Sequence, residues 1–185
     1  PNETRPMTTT PRHDPPPTAS VTPVRISAAP IVAAGSVDGY GPIFNAGVIR
    51  HEGVFHLFAR GVRDGYRRND APGPRFLDYI SDVLVFTSLD GREYAFQQVL
   101  AESSPDDVYT YEDPRVQLVR SHGEERFVMT YTNLPAADSG KPWRIGVHRL
   151  GFADGGFFLN RTSGRVVGPD AIPNKDAVLF NLRDG

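Results

Sequence analysis

Residues 112–115 read Glu-Asp-Pro-Arg, two carboxylates and a guanidinium packed around a proline. The apolar run 116–119 follows at once, so the charge stands at the mouth of a strand. Ordinary strand starts use Gly, Asn, Ser or a single Asp. Carboxylates accept hydrogen bonds from hydroxyls or transfer protons, and a guanidinium donates five hydrogen bonds. Two other strand openings carry polar groups of the same kind, Asn45-Ala46-Gly47 and Lys175-Asp176-Ala177. Counted from Asn45 to Glu112 to Lys175, they lie 67 and 63 residues apart.

Each opening belongs to a hairpin. The chain turns at His51-Glu52-Gly53 and returns as VFHLFAR, and it turns again at 121–125 and returns as FVMTYTN. A second hairpin follows in each case, from Ile80 and from Arg144, with turns at Asp90-Gly91 and Asp154-Gly155-Gly156. These short runs are rich in β-branched and aromatic residues, and Gly, Asp, Asn and Pro punctuate them, which predicts an all-β protein. The repeat holds four strands, the signature of a propeller blade. Residues 24–185 then make about two and a half blades, with VLFNL after Lys175 as the third blade's first strand. A β-sandwich with coincidental spacing is the competing architecture. A propeller needs at least about four blades. Either the chain is the N-terminal part of a longer protein, or partner copies complete the ring as a homo-oligomer. Residues 1–23 are rich in Pro and Thr and read as a disordered arm.

The bulk numbers exclude several classes. The 185 residues are 39% hydrophobic and 23% charged, with net charge −2 and no cysteine. A basic nucleic-acid footprint, a thiolate metal site and a disulfide framework are therefore not expected. No run of about 18 apolar residues spans a membrane, and no signal peptide is visible, which fits a cytoplasmic protein. The five histidines lack metal-ligand spacing, so no metal site is expected, and His51 and His56 are placed on a hairpin surface.

In a propeller the first strands of the blades line a central channel, so the three openings converge. Their acids, amide and guanidinium form a polar funnel of the kind that binds sugar hydroxyls, and aromatic faces take the apolar side of the ring. Glu112, Arg115 and Asp176 join Asn45 in that funnel. Phe44, Tyr109, Tyr111, Tyr131 and Trp143 are the candidate platforms. Glu112 pairing with Arg115 is an equal alternative to a site role.

The sequence resembles glycoside hydrolase family 130, five-bladed propellers that are β-mannoside phosphorylases and β-mannosidases. The resemblance rests on FNAGVI (44–49), HLFAR (56–60), SDVLVFTSLDGREY (81–94), EDPRV (112–116), MTYTN (129–133), RIGV (144–147) and NKDAVLF (174–180). It implies that Asp113 is the catalytic acid, reaching the glycosidic oxygen through a sugar hydroxyl. It implies that Asn45 and Arg60 hold the sugar, that Asn133 lies near phosphate, and that Lys175 and Asp176 are the third blade's contribution, Lys175 meeting an anion. Two features depart from the family. Asp82 follows Ser81 where many members carry Arg or an apolar residue, and 63–78 is a long loop at this position.

The chemistry narrows the reaction. Inverting cleavage needs an acid on one ring face and a nucleophile on the other. Water needs a base to activate it, whereas inorganic phosphate is already an anion and needs positive charge. Asn45 cannot act as a base, and Arg60, Arg63, Arg67, Arg68, Arg115 and Lys175 supply cations. The expectation is a glycoside phosphorylase that cleaves β-mannosides of an oligosaccharide substrate to mannose 1-phosphate, with phosphate as co-substrate and no cofactor. Hydrolysis by the same fold and non-catalytic carbohydrate binding are the alternatives.

Overall fold

The computed structural model describes residues 27–137 and 139–179. The expected arm at 1–23 lies outside them. So do the end of VLFNL and the turn at 183–185.

The described residues fold into two main antiparallel sheets, one of four strands and one of five, beside a small two-stranded hairpin. The first takes the order β1 (Tyr40–His51), β2 (Val54–Arg63), β5 (Ser81–Ser88), β6 (Ala95–Ala101). The second takes β7 (Thr110–Ser121), β8 (Glu124–Leu134), β9 (Arg144–Ala153), β10 (Gly156–Leu159). Each is a simple meander, one for each sequence unit. Three hairpins, β1–β2, β7–β8 and β9–β10, close through two-residue turns in which both residues are left-handed: Glu52-Gly53, His122-Gly123 and Asp154-Gly155. Such turns match the right-handed twist of the flanking strands. After β10 a short 3₁₀ turn (Arg161–Ser163) returns the chain to β9, where β11 (Arg165–Val167) pairs with Ile145–Val147.

The loop between β2 and β5 is not featureless. Arg67–Arg68 (β3) pairs with Phe76–Leu77 (β4), and Tyr66, Phe76 and Tyr79 pack together beside that small hairpin. Arg67 and Arg68 are exposed and face Asp78 and Asp70 at 3.6 and 3.3 Å, a solvated loop surface.

The two sheets stack on a shared core. Phe58, Val83 and Val85 from the first meet Val116, Met129, Tyr131, Leu150 and Phe157 from the second. The far face of the first sheet is covered by Val32 and Val37 from the preceding segment, with Tyr40 at the start of β1 packed beside them. Burial on both faces is why β5 reads as a continuous apolar run rather than an alternation. Val178 and Leu179 form no strand among the described residues. The segment nevertheless docks on the second sheet: Gln117 bonds both the N–H and the carbonyl of Leu179, and the Thr130 hydroxyl donates to the Ala177 carbonyl.

Two polar residues differ from the sequence reading. His56 is buried, not on a hairpin surface, because it shares a β2 face with Phe58. Its ring packs against Phe152 and Phe157, and both ring nitrogens lack partners among the described residues. Burial, and then the neighbouring His51, hold its pKa below the usual histidine range. Asp82 is fully buried and anchors the first sheet. It accepts two hydrogen bonds from Arg63 at 2.7 and 3.0 Å, one from the Tyr40 hydroxyl at 2.7 Å and one from the Ser103 N–H at 2.7 Å.

Removing one partner of a buried ion pair leaves an uncompensated charge. Arg63→Ala is expected to lower unfolding free energy by about 3 kcal/mol or more in urea titration. A second expectation concerns pH. His56 is neutral in the fold but takes up a proton in the unfolded chain near pH 6.5, so the unfolded state binds more protons. Its contribution is full above that pH and is lost as pH falls through it towards the lower folded value. His56→Phe should therefore flatten the fall in Tm between about pH 7.5 and pH 5.

Candidate functional site

β1 and β7 are the edge strands at which the two sheets adjoin. Each carries the same irregularity. On β1, Phe44 pairs with Arg60 and Gly47 with Phe58, so Asn45 and Ala46 together oppose one residue. On β7, Glu112 pairs with Thr132 and Arg115 with Thr130, so Asp113 and Pro114 do likewise. These are β-bulges, which re-aim a side chain and interrupt the ladder. Pro114 sits where its missing N–H removes no ladder bond. The first residue of each bulge is left-handed, Asn45 at φ 51° and Asp113 at φ 51°. Asn and Asp are the non-glycine types that accept this conformation most readily. Asp176, 63 residues beyond Asp113, has φ 60°. All three funnel openings thus share one strained backbone state, of a kind that gathers at functional sites.

The bulges are locked to each other. The Asn45 amide donates to Asp113 Oδ1 at 2.8 Å. Arg115 Nη1 donates to the carbonyls of Asn45 and Pro114, each at 3.0 Å. Gly47 makes this approach feasible, since a Cβ there would fall 2.8 Å from the Pro114 carbonyl oxygen.

Arg60 reaches the same point from β2. Its guanidinium lies 4.3 Å from the Phe44 ring centroid, a cation–π contact. Nη1 bonds Glu112 at 2.6 Å and Nη2 faces Asp113 at 3.4 Å. Its Nε is buried without a partner among the described residues. Glu112 therefore pairs with Arg60; Arg115 is taken up by the bulge carbonyls. Burial raises the Glu112 pKa above the ordinary carboxyl range, against the opposing pull of Arg60 and of Lys175. The cluster holds one carboxylate paired with a guanidinium and a second whose Oδ1 is fixed by an amide. Such a set can exchange hydrogen bonds, or a proton, with a bound hydroxyl.

Not every expected residue joins it. Tyr111 is 1% exposed and packs on Tyr131 at 4.7 Å in the core, so neither is a platform. Neighbouring residues on a strand point to opposite faces, and Tyr111 faces inward. Burial pushes its hydroxyl up to about 12. The Phe44 face is occupied by Arg60. Asn133 opens into a hollow of about 580 Å³ with Arg144, Lys141 and Asp170, whose lining contains neither Arg60 nor Lys175. Lys175 and Asp176 are exposed and lie 3.6 Å apart. Tyr109 and Trp143 do face the site, along a second hollow of about 570 Å³ that begins at Arg60 and Glu112. The same hollow is lined by Tyr79 and Phe76, which the sequence reading passed over. Their signal was the aromatic content of a loop read for its charges. Among the described residues, no three His, Asp or Glu side chains converge as metal ligands.

Gly47→Ala is expected to cost about 1–3 kcal/mol through the clash with Pro114. It should also weaken ligand binding at Asp113 beyond what the stability loss explains, as read by calorimetric titration.

No protein-family model and no curated protein matches the sequence. Several solved structures resemble the fold. One is a glycoside hydrolase candidate from Parabacteroides distasonis ATCC 8503, at 15% identity and TM-score 0.47, covering 63% of this chain and 31% of that one. A second is a glycosyl hydrolase from Bacteroides ovatus, at 18% identity and TM-score 0.44, covering 63% and 30%. A third belongs to work on the GH130 family of mannoside phosphorylases, containing glycoside hydrolases that target β-1,2 mannosidic linkages in Candida mannan. It shows 19% identity and TM-score 0.43 over 69% of this chain and 31% of that one. The chain thus spans about a third of the length of the structures it matches.

Proposed function

We propose that this chain forms the first blades of a β-propeller that cleaves β-mannosides by phosphorolysis with inversion. The observation that carries the reading is the orientation of Asp113. A left-handed bulge carries it, the Asn45 amide fixes Oδ1, and its neighbours Arg60 and Glu112 line an open hollow. Two meanders with adjacent first strands, and a further segment docked beyond them, support successive blades around an axis.

In this reading Asp113 delivers its proton to the glycosidic oxygen through a sugar hydroxyl as the bond from that oxygen to the anomeric carbon breaks. A phosphate oxygen bonds to the same carbon from the opposite ring face. The products are mannose 1-phosphate and the shortened glycan. Asn45, Arg60 and Glu112 hold the sugar, and Arg115 keeps the two bulges in register. Asp176 presents its carboxyl from the third opening. Asn45 stands where a hydrolase could place a base, and it cannot take a proton. Arg60 and Lys175 bring positive charge, which suits an anionic nucleophile. Asn133, the further phosphate contact implied by the family motif, lies in the neighbouring hollow and is assigned to the site on that motif alone.

The test is incubation of the full-length protein with short β-mannosides, with and without inorganic phosphate. Phosphate-dependent mannose 1-phosphate is expected. Asp113→Asn should lower turnover by about 10²–10⁴-fold while sugar binding persists. Wild-type turnover in that variant would sink the acid assignment. Free mannose independent of phosphate would mean hydrolysis, and binding without any product would mean a carbohydrate-binding module.

A further inference from the structure

β7 is gripped on both sides of its bulge. Beyond the bulge, Arg115 bonds the Asn45 carbonyl. Before it, the residue next to the acids is Tyr111, and serine hydroxyls take both of its main-chain polar groups. Ser81 Oγ donates to the Tyr111 carbonyl at 2.6 Å, and the Tyr111 N–H donates to Ser103 Oγ at 3.3 Å. The Ser103 hydroxyl in turn donates to the Ser81 carbonyl at 2.5 Å. All three residues are buried, so these bonds lie out of reach of bulk water. The serines are themselves anchored. Ser81 opens β5 directly before Asp82, and Ser103 lies on the link from β6 to β7. Asp82 accepts from the Ser103 N–H at 2.7 Å. Arg63, bonded to the same carboxylate, donates to the Ser103 carbonyl at 3.1 Å. The main chain of Ser103 is thus fixed by a carboxylate and a guanidinium, and its hydroxyl passes that position on to β7.

We infer that Ser81 and Ser103 are positioning residues for the Asp113 carboxyl, tying the strand that carries it to the Asp82–Arg63 anchor of the first sheet. The inference rests on the reading of Asp113 as the acid of a mannoside site. The place of these bonds along β7 is what gives them that role. The β7–β8 ladder lapses between Glu112 and Arg115, so Asp113 stands in a gap with no strand pairing of its own. Its position therefore depends on what holds the chain at either end of the gap. Both serine hydroxyls are buried and have their protons committed to carbonyls, so they act on a sugar only through β7. Removing the Ser103 hydroxyl strips a partner from the Tyr111 N–H and from the Ser81 carbonyl, and removing that of Ser81 strips one from the Tyr111 carbonyl. Either loss frees the strand to shift, and Asp113 then shifts relative to the Asn45 amide. A displacement of about 1 Å at a reacting group costs up to about 10²-fold in rate.

The test compares Ser81→Ala and Ser103→Ala with the wild type in the full-length protein, well below Tm and with circular dichroism as the check of folding. On β-1,2- and β-1,4-mannobiose with phosphate, kcat is expected to fall about 10–10²-fold in each variant, with KM within about twofold. On an Asp113→Asn background the same substitutions should lower kcat no further, because the carboxyl they position is gone. A second readout needs no turnover. The Asn45 side-chain amide resonance, assigned with Asn45→Ala, reports the bond to Asp113, and each serine substitution should move it towards its position in Asp113→Ala. Where an alanine variant fails to fold, Ser81→Cys and Ser103→Cys keep the volume, weaken the bond and carry both readouts. An unmoved Asn45 resonance, a wild-type kcat, or an equal loss of kcat on the Asp113→Asn background overturns the inference and leaves the mannoside reading standing. A moved resonance in a protein that turns over neither disaccharide overturns the mannoside reading and leaves the serines as the positioning residues of Asp113.

Discussion

The first strands of the two sheets meet where Gly47 has no side chain. The Pro114 carbonyl occupies the space that a Cβ would need. That approach sets the distance between the bulges and so lets the Asn45 amide reach the Asp113 carboxylate. It also lets one guanidinium, Arg115, bond the carbonyls of both bulges. A slightly wider gap would leave Asp113 without its amide and Arg115 with one carbonyl to serve.

The site is strained, and its surroundings hold it there. Left-handed Asn45 and Asp113 each cost roughly 1–2 kcal/mol relative to extended backbone. The face-to-face core, from Phe58 and Val85 to Met129 and Phe157, offsets that cost by burying the inner faces of both sheets. Next along β2 from Arg60, Arg63 is tied with Tyr40 and Ser103 to Asp82 of β5, which fixes the strand that carries Arg60. The two charged systems are separate. Asp82 is saturated with hydrogen bonds and stays structural. The Asp113 cluster keeps buried, incompletely partnered groups, among them the Arg60 Nε.

Charge and burial are balanced within that cluster. Arg60 is held by a ring on one side and two acids on the other, so it cannot swing away. Glu112 pairs with it and still has a raised pKa, because burial outweighs the attraction. A carboxyl in that condition can change protonation when a ligand alters its environment. The aromatic cleft adjoins this pair directly, so any ligand bound along it would exclude water from the carboxylates.

Much of this was legible in the sequence. Alternation and β-branched runs gave the strands, Glu-Gly, His-Gly and Asp-Gly pairs gave the turns, and the unit of four strands gave the two meanders. The repeated polar strand openings singled out Asn45 and Asp113, whereas the β-bulges and the left-handed backbone that hold them there appear only in the paired strands. Packing decided the rest. Period-two alternation says that Tyr111 and Glu112 face opposite ways, but only the stacking of the second sheet on the first says which way is core. The same stacking buried His56 with Phe157 and enclosed Asp82. Arg60 took Glu112 from Arg115 because the pairing partner depends on how two sheets adjoin, and no local spacing encodes that. The aromatic cleft likewise joins residues 76 and 79 to residue 143, which meet only once both meanders are folded.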